Sequence, residues 1–245
     1  MTKLTALIPA RSGSQRVRNK NLKEIQGHPL IAFTISASIR SNIFDRIVVS
    51  TDSEEIAEIS KGYGAEVPNL RKIEFAGNSS PDIEWIKEAA LEWLELDDKD
   101  NFAILRPTNP LRKPQTIAKA YELFLKNEET DSLRAIKRVR EHPGKMWRKS
   151  ENDTIHPYIE GINLITNTFN HSSPLQTLEP LWIQDASLEI SKVKNISETN
   201  SISGSKVMGF EMPDYEGFDL NFIEDFLLLE KLIEVGEVEL EQPIC

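Results

Sequence analysis

A basic loop follows the first apolar run of the chain, and its cations are Arg11, Arg16, Arg18 and Lys20. The apolar run, residues 4–8, is typical of a short buried strand, and Pro9 ends it. Gly13 and small hydroxyl residues in the loop let backbone N–H groups approach an anion closely. The segment therefore predicts a phosphate-binding loop after a first strand.

The charge of this segment contrasts with that of the whole chain. Residues 1–30 contain six basic residues and one acidic residue, whereas the formal net charge of the chain is −10. Neither a Gly-x-x-x-x-Gly-Lys-Ser/Thr motif nor a Gly-x-Gly-x-x-Gly fingerprint is present, so the loop does not identify its nucleotide. Arg16 and Arg18 also fit ordinary solvated surface charge.

Elements of a mostly parallel α/β sheet must position this loop. Short apolar runs at 4–8, 46–50 and 102–105 alternate with helical apolar stripes, a pattern typical of a sheet covered by helices on both faces. Two further loops, 50–53 and 106–110, follow predicted strands. Since ligands bind beyond the carboxyl ends of parallel strands, we expect all three loops to converge at one edge.

Composition favours one α/β domain over 1–245, with a small irregular lobe inserted at about 142–206. Its apolar content is 39% and its charged content is 28%. No apolar run approaches the roughly 20 residues of a membrane helix, and the first residues lack a secretory pattern. The single cysteine, Cys245, excludes an internal disulfide framework. We therefore expect a cytoplasmic protein that does not bind membranes. Because the chain is acidic, we also expect that it does not bind nucleic acid.

Several motifs, in order, resemble those of the acylneuraminate cytidylyltransferases, the CMP-sialic acid synthetases. They are Ile8-Pro9-Ala10-Arg11-Ser12-Gly13-Ser14 with Lys20-Asn21, Ser50-Thr51-Asp52-Ser53, Tyr63-Gly64-Ala65, Arg106-Pro107-Thr108-Asn109-Pro110 and Asp219-Leu220-Asn221. The resemblance implies a Rossmann-like three-layer αβα fold of the nucleotide-diphospho-sugar transferase type. It also implies that the 142–206 lobe is a dimerisation and sugar-binding arm, and hence that the chain is a homodimer.

The same resemblance implies a function, the transfer of CMP from CTP to a nonulosonic (sialic-acid-like) sugar with release of pyrophosphate. Its expected catalytic residues are Arg11, Lys20 and Asp219. Its expected nucleotide-binding residues are Ala10, Arg11, Gly13, Ser14, Lys20, Asn21, Arg71 and Ser80. Without the resemblance, the segment around Ser80 is simply a turn that leads into a helix.

The resemblance also implies a Mg²⁺ cofactor, held by Asp219 and Asn221. The family usually has two aspartates here, and Asn221 replaces the second of them. One carboxylate can suffice, because Mg²⁺ commonly uses one or two carboxylates plus substrate phosphates and waters. Asn221 is equally well placed as a helix N-cap, with Glu224 three residues later.

The expected residues of the sugar pocket are Arg106, Thr108, Asn109, Lys145 and Gln184. Arg106 departs from the glutamine usual in sialate synthetases, and its guanidinium could pair with a carboxylate through two hydrogen bonds. The segment around Gln184 also departs from the family pattern, so the choice of nonulosonic acid stays open. Two alternatives remain: a ketodeoxyoctulosonate-type cytidylyltransferase, whose opening motif typically lacks the Lys-Asn pair, and a non-catalytic nucleotide- or sugar-binding paralogue.

Overall fold

The computed structural model describes residues 2–244 and divides into two compact units. The first unit comprises the residues up to Ala135 and those from Asp185 onward, and the second comprises Ile136–Gln184. Cys245, on which the disulfide expectation depends, lies outside the described residues. No helix among residues 2–244 is long and apolar enough to cross a membrane.

A six-stranded sheet organises the fold. Its strands are β1 (Leu4–Pro9), β2 (Arg46–Ser50), β3 (Asn101–Leu105), β4 (Ser132–Arg138), β5 (Trp182–Lys192) and β6 (Val207–Glu211). Their order across the sheet is β6-β4-β5-β3-β1-β2. Strand β1 pairs in parallel with both β2 and β3, whereas β5 pairs antiparallel to β3. The predicted first three strands are confirmed, each to within one residue at either end.

Within residues 2–244, six α-helices accompany the sheet. They are α1 (Leu30–Ser41), α2 (Glu54–Gly62), α3 (Asp82–Lys87), α4 (Pro114–Leu125), α5 (Lys194–Thr199) and α6 (Ile223–Glu234). The predicted helical stripe over 83–93 is α3 followed by a π-helical turn, Glu88–Trp93. Ser53 caps α2 as the sequence predicts, because its hydroxyl accepts a hydrogen bond from the Ile56 amide at 3.3 Å.

Short elements complete the chain. The 3₁₀ turns are Lys20–Leu22, Ile73–Ala76, Pro143–Lys145, Asn170–Ser172 and Leu175–Thr177. Three small antiparallel pairs join Glu24–Ile25 to His28–Pro29, Trp147–Lys149 to Ile155–Pro157, and Ile162–Asn163 to Thr168–Phe169. The hairpins expected in the inserted lobe are present in the second unit.

Both faces of the sheet are buried at β1 and β3, which is why these two strands are mostly apolar. Ile8 packs in one cluster with side chains of α1, α2 and α4, and Leu7 packs in another with side chains of α3 and α5. Neighbouring residues of a strand point to opposite faces, so each face acquires its own helix layer. The three-layer αβα arrangement implied by the resemblance is confirmed.

The start of α6 differs from the sequence prediction. The N-cap is Phe222 instead of Asn221, and the carboxylate that closes the first turn belongs to Asp225 instead of Glu224. Asp225 accepts hydrogen bonds from the Asn221 and Phe222 amides at 2.7 and 2.8 Å. One carboxylate thus satisfies two free amides at the helix start, leaving the Asn221 side chain available for other contacts.

The boundaries of the inserted lobe also differ. The sequence predicted a lobe over about 142–206, whereas the second unit covers Ile136–Gln184. Residues from Asp185 onward belong to the first unit, because Leu188–Lys192 pairs with β3 in the central sheet.

Candidate nucleotide and metal site

The basic loop is held at the end of β1 by side-chain hydrogen bonds. Asp52, which follows β2, accepts hydrogen bonds from the backbone N–H and the hydroxyl of Ser12, both at 2.7 Å. Arg11 donates from Nη1 to the carbonyl of Gly77 at 2.7 Å, and its own carbonyl accepts from Asn21 at 3.1 Å. The sequence motif contains Asp52, but its role in holding the loop was not predicted.

A cavity of about 560 Å³ opens beside this loop in the first unit. It is lined by the basic loop (Pro9, Arg11, Ser14, Gln15, Arg16, Val17, Lys20, Asn21), the segment before and through α3 (Arg71, Phe75, Gly77, Asn78, Ser80, Asp82, Trp85), and Arg106, Pro107, Thr108, Ala186, Asp219 and Asn221. Its lining includes seven charged side chains, of which Arg11 and Asp219 are 208 positions apart in sequence. The convergence expected from the three strand-to-loop exits is therefore present for the loops that end β1 and β3.

Lys20 and Asp219 carry opposite charges and both line this cavity. Lys20 donates from Nζ to the carbonyl of Leu220 at 3.0 Å. Burial lowers the pKa of Lys20 below the 10.5 of a free lysine, and the neighbouring Arg16 and Arg11 act in the same direction, while Asp219 opposes them. The Lys20 charge is therefore lost at a lower pH than that of an exposed lysine.

The Asp219 carboxylate has one satisfied and one unsatisfied oxygen. Oδ2 accepts a hydrogen bond from Asn221 Nδ2 at 2.6 Å. Oδ1 is buried and has no hydrogen-bond partner among residues 2–244. An unpartnered buried carboxylate oxygen is costly, so it fits a site completed by a cation. In the described part of the chain, no group of three or more His, Cys, Asp or Glu side chains is arranged to hold a metal ion.

Arg71 and Ser80 line the cavity on the side of α3. Arg71 is buried and donates to Ser50, to Oγ at 2.9 Å and to the carbonyl at 2.7 Å, while its guanidinium lies 4.9 Å from the centre of the Trp85 ring. Burial lowers the pKa of Arg71 to about 10. Ser80 donates to the Glu74 carbonyl at 2.8 Å. These contacts fix a cation and a hydroxyl in the wall.

Arg106 belongs to a chain of alternating charges. Its Nη2 pairs with Asp82 Oδ2 and lies 3.8 Å from Glu189, whose other oxygen lies 2.6 Å from Arg134. Burial alone would lower the pKa of Arg106, but Asp82 and Glu189 raise it above its usual value. Arg106 Nε is buried with no hydrogen-bond partner among residues 2–244. Arg106 therefore lines the cavity and has one donor without a partner among residues 2–244, although carboxylates of the protein already balance its charge.

Other predicted site residues lie outside the cavity lining. Ala10 is fully buried behind the loop, Gly13 is not in the wall, and Asn109 is buried with its amide donated to the Phe218 carbonyl at 3.2 Å. Lys145 and Gln184 belong to the second unit. Lys145 Nζ donates to the carbonyl of His171 at 3.4 Å.

Three charged residues of this region were not predicted: Asp82, Glu189 and Arg134. Asp82 was interpreted as part of a turn leading to a helix, which it also is, because it begins α3. Glu189 and Arg134 lie on β5 and β4, and each of these strands contains three charged residues, so the sequence does not single out either one.

Arg112 joins three segments beneath the site. It is fully buried, with Nη1 donating to the Ser187 carbonyl and Nη2 to Thr34 Oγ1 at 2.9 Å, and it also contacts the Arg106 carbonyl at 3.3 Å. Burial lowers its pKa to about 10, although Asp185 and Glu216 favour the charged form.

Replacing Arg112 with methionine is expected to lower the free energy of unfolding by about 3–5 kcal/mol, because it leaves buried acceptors and carboxylates without their partner. Urea denaturation measures the change. Arg40→Met is the matched control: it breaks an exposed ion pair with Glu241 and should cost less than about 1 kcal/mol. A similar loss of unfolding free energy in the two variants would contradict a stabilising role for the buried hydrogen bonds of Arg112.

Comparisons with known proteins bear on the family and the fold. The sequence matches the family model described as cytidylyltransferase over residues 5–157. It is 30% identical over 241 residues to the CMP-N,N'-diacetyllegionaminic acid synthase of Legionella pneumophila, an alignment that covers 96% of this chain and 98% of that protein.

Two further relatives match part of the chain. The N-acylneuraminate cytidylyltransferase of Escherichia coli O18:K1:H7 is 38% identical over 137 residues, which cover 56% of this chain and 32% of that protein. The pseudaminic acid cytidylyltransferase of Campylobacter jejuni is 36% identical over 124 residues, which cover 50% and 53% of the two chains.

Solved structures share the fold at low sequence identity. A CMP:2-keto-3-deoxy-manno-octonic acid synthetase complexed with CTP has a TM-score of 0.67 at 12% identity, and the match covers 96% of this chain and 100% of that one. The 4-diphosphocytidyl-2C-methyl-D-erythritol synthase of Anaerococcus prevotii has a TM-score of 0.60 at 11% identity, covering 95% and 99%.

The fold is therefore that of an α/β nucleotidyltransferase, with its cavity beyond the carboxyl ends of parallel strands. The chain belongs to the cytidylyltransferase family, and its resemblance to the acylneuraminate cytidylyltransferases is confirmed.

Proposed function

We propose that this chain transfers CMP from CTP to a hydroxyl of a nonulosonic acid. The acceptor oxygen forms a bond to the α-phosphorus, the bond from that phosphorus to the bridging oxygen breaks, pyrophosphate leaves, and the hydroxyl proton is released. The observation that carries this proposal is that Lys20 and Asp219 line the same cavity as Arg11, and that one oxygen of Asp219 has no hydrogen-bond partner among residues 2–244. Relatives named for legionaminic, N-acylneuraminic and pseudaminic acids support the acceptor class.

Cations of the basic loop would bind the triphosphate. Arg11 and Lys20 both reach the cavity, and Ser14 adds a hydroxyl donor. Preorganised positive charge stabilises the negative charge that builds up on the leaving phosphates in the transition state. Ala10 and Gly13 lie outside the lining, so any contribution they make comes through the shape of the loop backbone.

The nucleoside would lie toward α3, because Arg71 and Ser80 line the cavity from that side, while Asn21 lines it from the basic loop. Arg71 is fixed by Ser50 and by the Trp85 ring before any ligand arrives. A donor held in place loses little conformational freedom on binding, which favours affinity.

Arg106 and Thr108 would contact the acceptor. Asp82 already pairs with Arg106, so the unpartnered Nε donor of Arg106 suits a neutral oxygen of the sugar as well as a carboxylate. Asn109, Lys145 and Gln184 stay in this proposal as sugar-pocket residues on the strength of the family resemblance alone.

Mg²⁺ is the proposed cofactor, held by Asp219 Oδ1, and when bound it supplies positive charge that offsets the triphosphate. Asn221 would act mainly by orienting Asp219, because its amide donates to Oδ2. A single carboxylate with phosphate and water oxygens is an ordinary environment for Mg²⁺.

Pyrophosphate release tests the proposal. The purified chain is incubated with CTP and, separately, legionaminic, N-acylneuraminic, pseudaminic and ketodeoxyoctulosonic acids, each with and without Mg²⁺. Turnover with a nonulosonic acid that requires Mg²⁺ supports the proposal. Turnover with ketodeoxyoctulosonic acid alone would assign the chain to the alternative enzyme, and CTP binding without turnover would indicate a binding protein.

The chain is also proposed to be a homodimer that associates through its second unit. That unit exposes many large apolar side chains: Trp147, Ile155, Tyr158, Ile159, Ile162, Leu164, Ile165, Phe169, Leu175, Trp182 and Ile183. Leu164 and Ile165 are 96% and 77% exposed. Apolar surface of this extent is typical of an interface.

Leu164→Asp/Ile165→Asp is expected to convert the dimer to a monomer, because a charge buried in an apolar interface without a partner opposes association. Light scattering after size-exclusion chromatography measures the mass. The control, Leu125→Asp/Val235→Asp, changes exposed apolar residues of the first unit and should leave a dimer. A monomeric wild-type chain would refute the proposal.

A further inference from the structure

A second groove lies on the other side of the basic loop. It has a volume of about 600 Å³ and is lined by Arg16, Val17, Arg18, Asn19, Leu22, Lys23, Glu55 and Ile223. Its wall therefore holds three cations and one carboxylate, in a chain whose formal net charge is −10. The proposed transfer reaction does not use this groove.

Its cations are positioned without being neutralised. The Arg16 guanidinium lies 5.0 Å from the centre of the Phe222 ring, and Lys23 Nζ lies 5.3 Å from the centre of the Phe226 ring. Aromatic faces orient a cation but leave its charge intact. In the part of the chain that the structure describes, Arg16, Arg18 and Lys23 form no ion pair.

One turn of backbone separates this groove from the nucleotide cavity. Asn19 has a left-handed conformation, with φ at 50°, and its carbonyl accepts from the Leu22 amide at 2.9 Å. Around this turn, Arg18 lines only the groove and Lys20 lines only the cavity. Arg16 and Val17 line both, so a single guanidinium borders the two spaces.

We propose that this groove is a second binding site, whose ligand is inorganic pyrophosphate. Guanidinium and ammonium groups without carboxylate partners bind phosphate oxygens through charge-assisted hydrogen bonds. A nucleotide fits less well, because among residues 2–244 no aromatic side chain lines the groove for a base to stack on. The identification of pyrophosphate as the physiological ligand rests on the proposed function, since that reaction releases it beside Arg16.

Calorimetric titration of the whole chain with inorganic pyrophosphate tests this site. The nucleotide cavity is first saturated with a CTP analogue in which a methylene group replaces the bridging oxygen between the α- and β-phosphates. We expect one pyrophosphate per chain to bind under these conditions. Arg18→Gln/Lys23→Met should weaken that binding by about tenfold or more and leave the affinity for the CTP analogue unchanged.

The matched control, Lys119→Gln/Lys126→Met, removes the same charge on and just after α4 and should bind pyrophosphate as the wild type does. If the double variant is poorly folded by circular dichroism, Arg18→Glu alone, at an exposed position, must show the weakening.

Three results would overturn the proposal: no pyrophosphate bound to the saturated wild type, equal affinity in the double variant, or two CTP analogues per chain with the second lost in that variant. This titration needs no turnover. A chain inactive with every acceptor could therefore still bind pyrophosphate here, and an active chain could fail to bind it, so the two proposals fail separately.

Discussion

Asp219→Asn is expected to lower turnover by about 10²–10³-fold while leaving the chain folded. The substitution keeps the shape of the side chain and removes the charge of Oδ1, the buried oxygen that has no hydrogen-bond partner among residues 2–244. Binding of Mn²⁺, followed by electron paramagnetic resonance, should weaken in parallel. Removing the metal with a chelator should lower wild-type turnover and have little further effect on the variant.

Asp214→Asn is the control for this substitution. Asp214 is exposed and precedes the site by five residues, and its positive φ of 44° is one that asparagine also tolerates. We expect its turnover and Mn²⁺ affinity to match the wild type. An Asp219→Asn enzyme that binds Mn²⁺ normally would show that the metal lies elsewhere.

Local pattern predicts the central fold because its elements are strongly periodic. Strands β1 and β3 are buried on both faces and are therefore continuously apolar, and α1 and α4 carry regular apolar stripes. The start of α6 was predicted less well, since Asn221, Phe222 and two nearby acidic residues offer competing caps. The geometry of the turn, which sequence does not encode locally, selects Asp225.

Residues that are neighbours in sequence show their shared chemistry directly, whereas the hydrogen bonds between distant segments were not predicted. The cations of the basic loop are within one short segment, so their shared role is visible. The Arg11 contact with Gly77 and the Lys20 contact with Leu220 join residues 66 and 200 positions apart. Tertiary packing brings such segments together, and no spacing rule anticipates the individual hydrogen bonds.

The ion pairs of Arg106 also could not be predicted from the sequence. A single arginine after β3 predicts an anion-binding side chain, yet Asp82 at the start of α3 and Glu189 on β5 already balance it. An argument from residue type therefore overstates the free charge at this position. What Arg106 offers to a ligand depends on partners from two other elements.

Lys20→Met is expected to reduce turnover by about 10²–10³-fold, because it removes a cation of the cavity wall and the hydrogen bond to the Leu220 carbonyl beside Asp219. The affinity for CTP should fall as well, which calorimetry measures directly. Lys119→Met, on the exposed face of α4, changes the net charge equally and should leave both quantities unchanged.

The pH dependence of CTP affinity separates the charge of Lys20 from its shape. Burial holds the Lys20 pKa below 10.5, so the wild type should lose affinity as the pH rises toward that value, when the ammonium deprotonates. Arginine stays protonated throughout this range, so the affinity of Lys20→Arg should be less sensitive to alkaline pH. The methionine variant has no charge to lose here, so its affinity should also be nearly flat, at a weaker level. A wild-type profile that coincides with that of Lys20→Arg would show that deprotonation of Lys20 does not control the affinity for CTP.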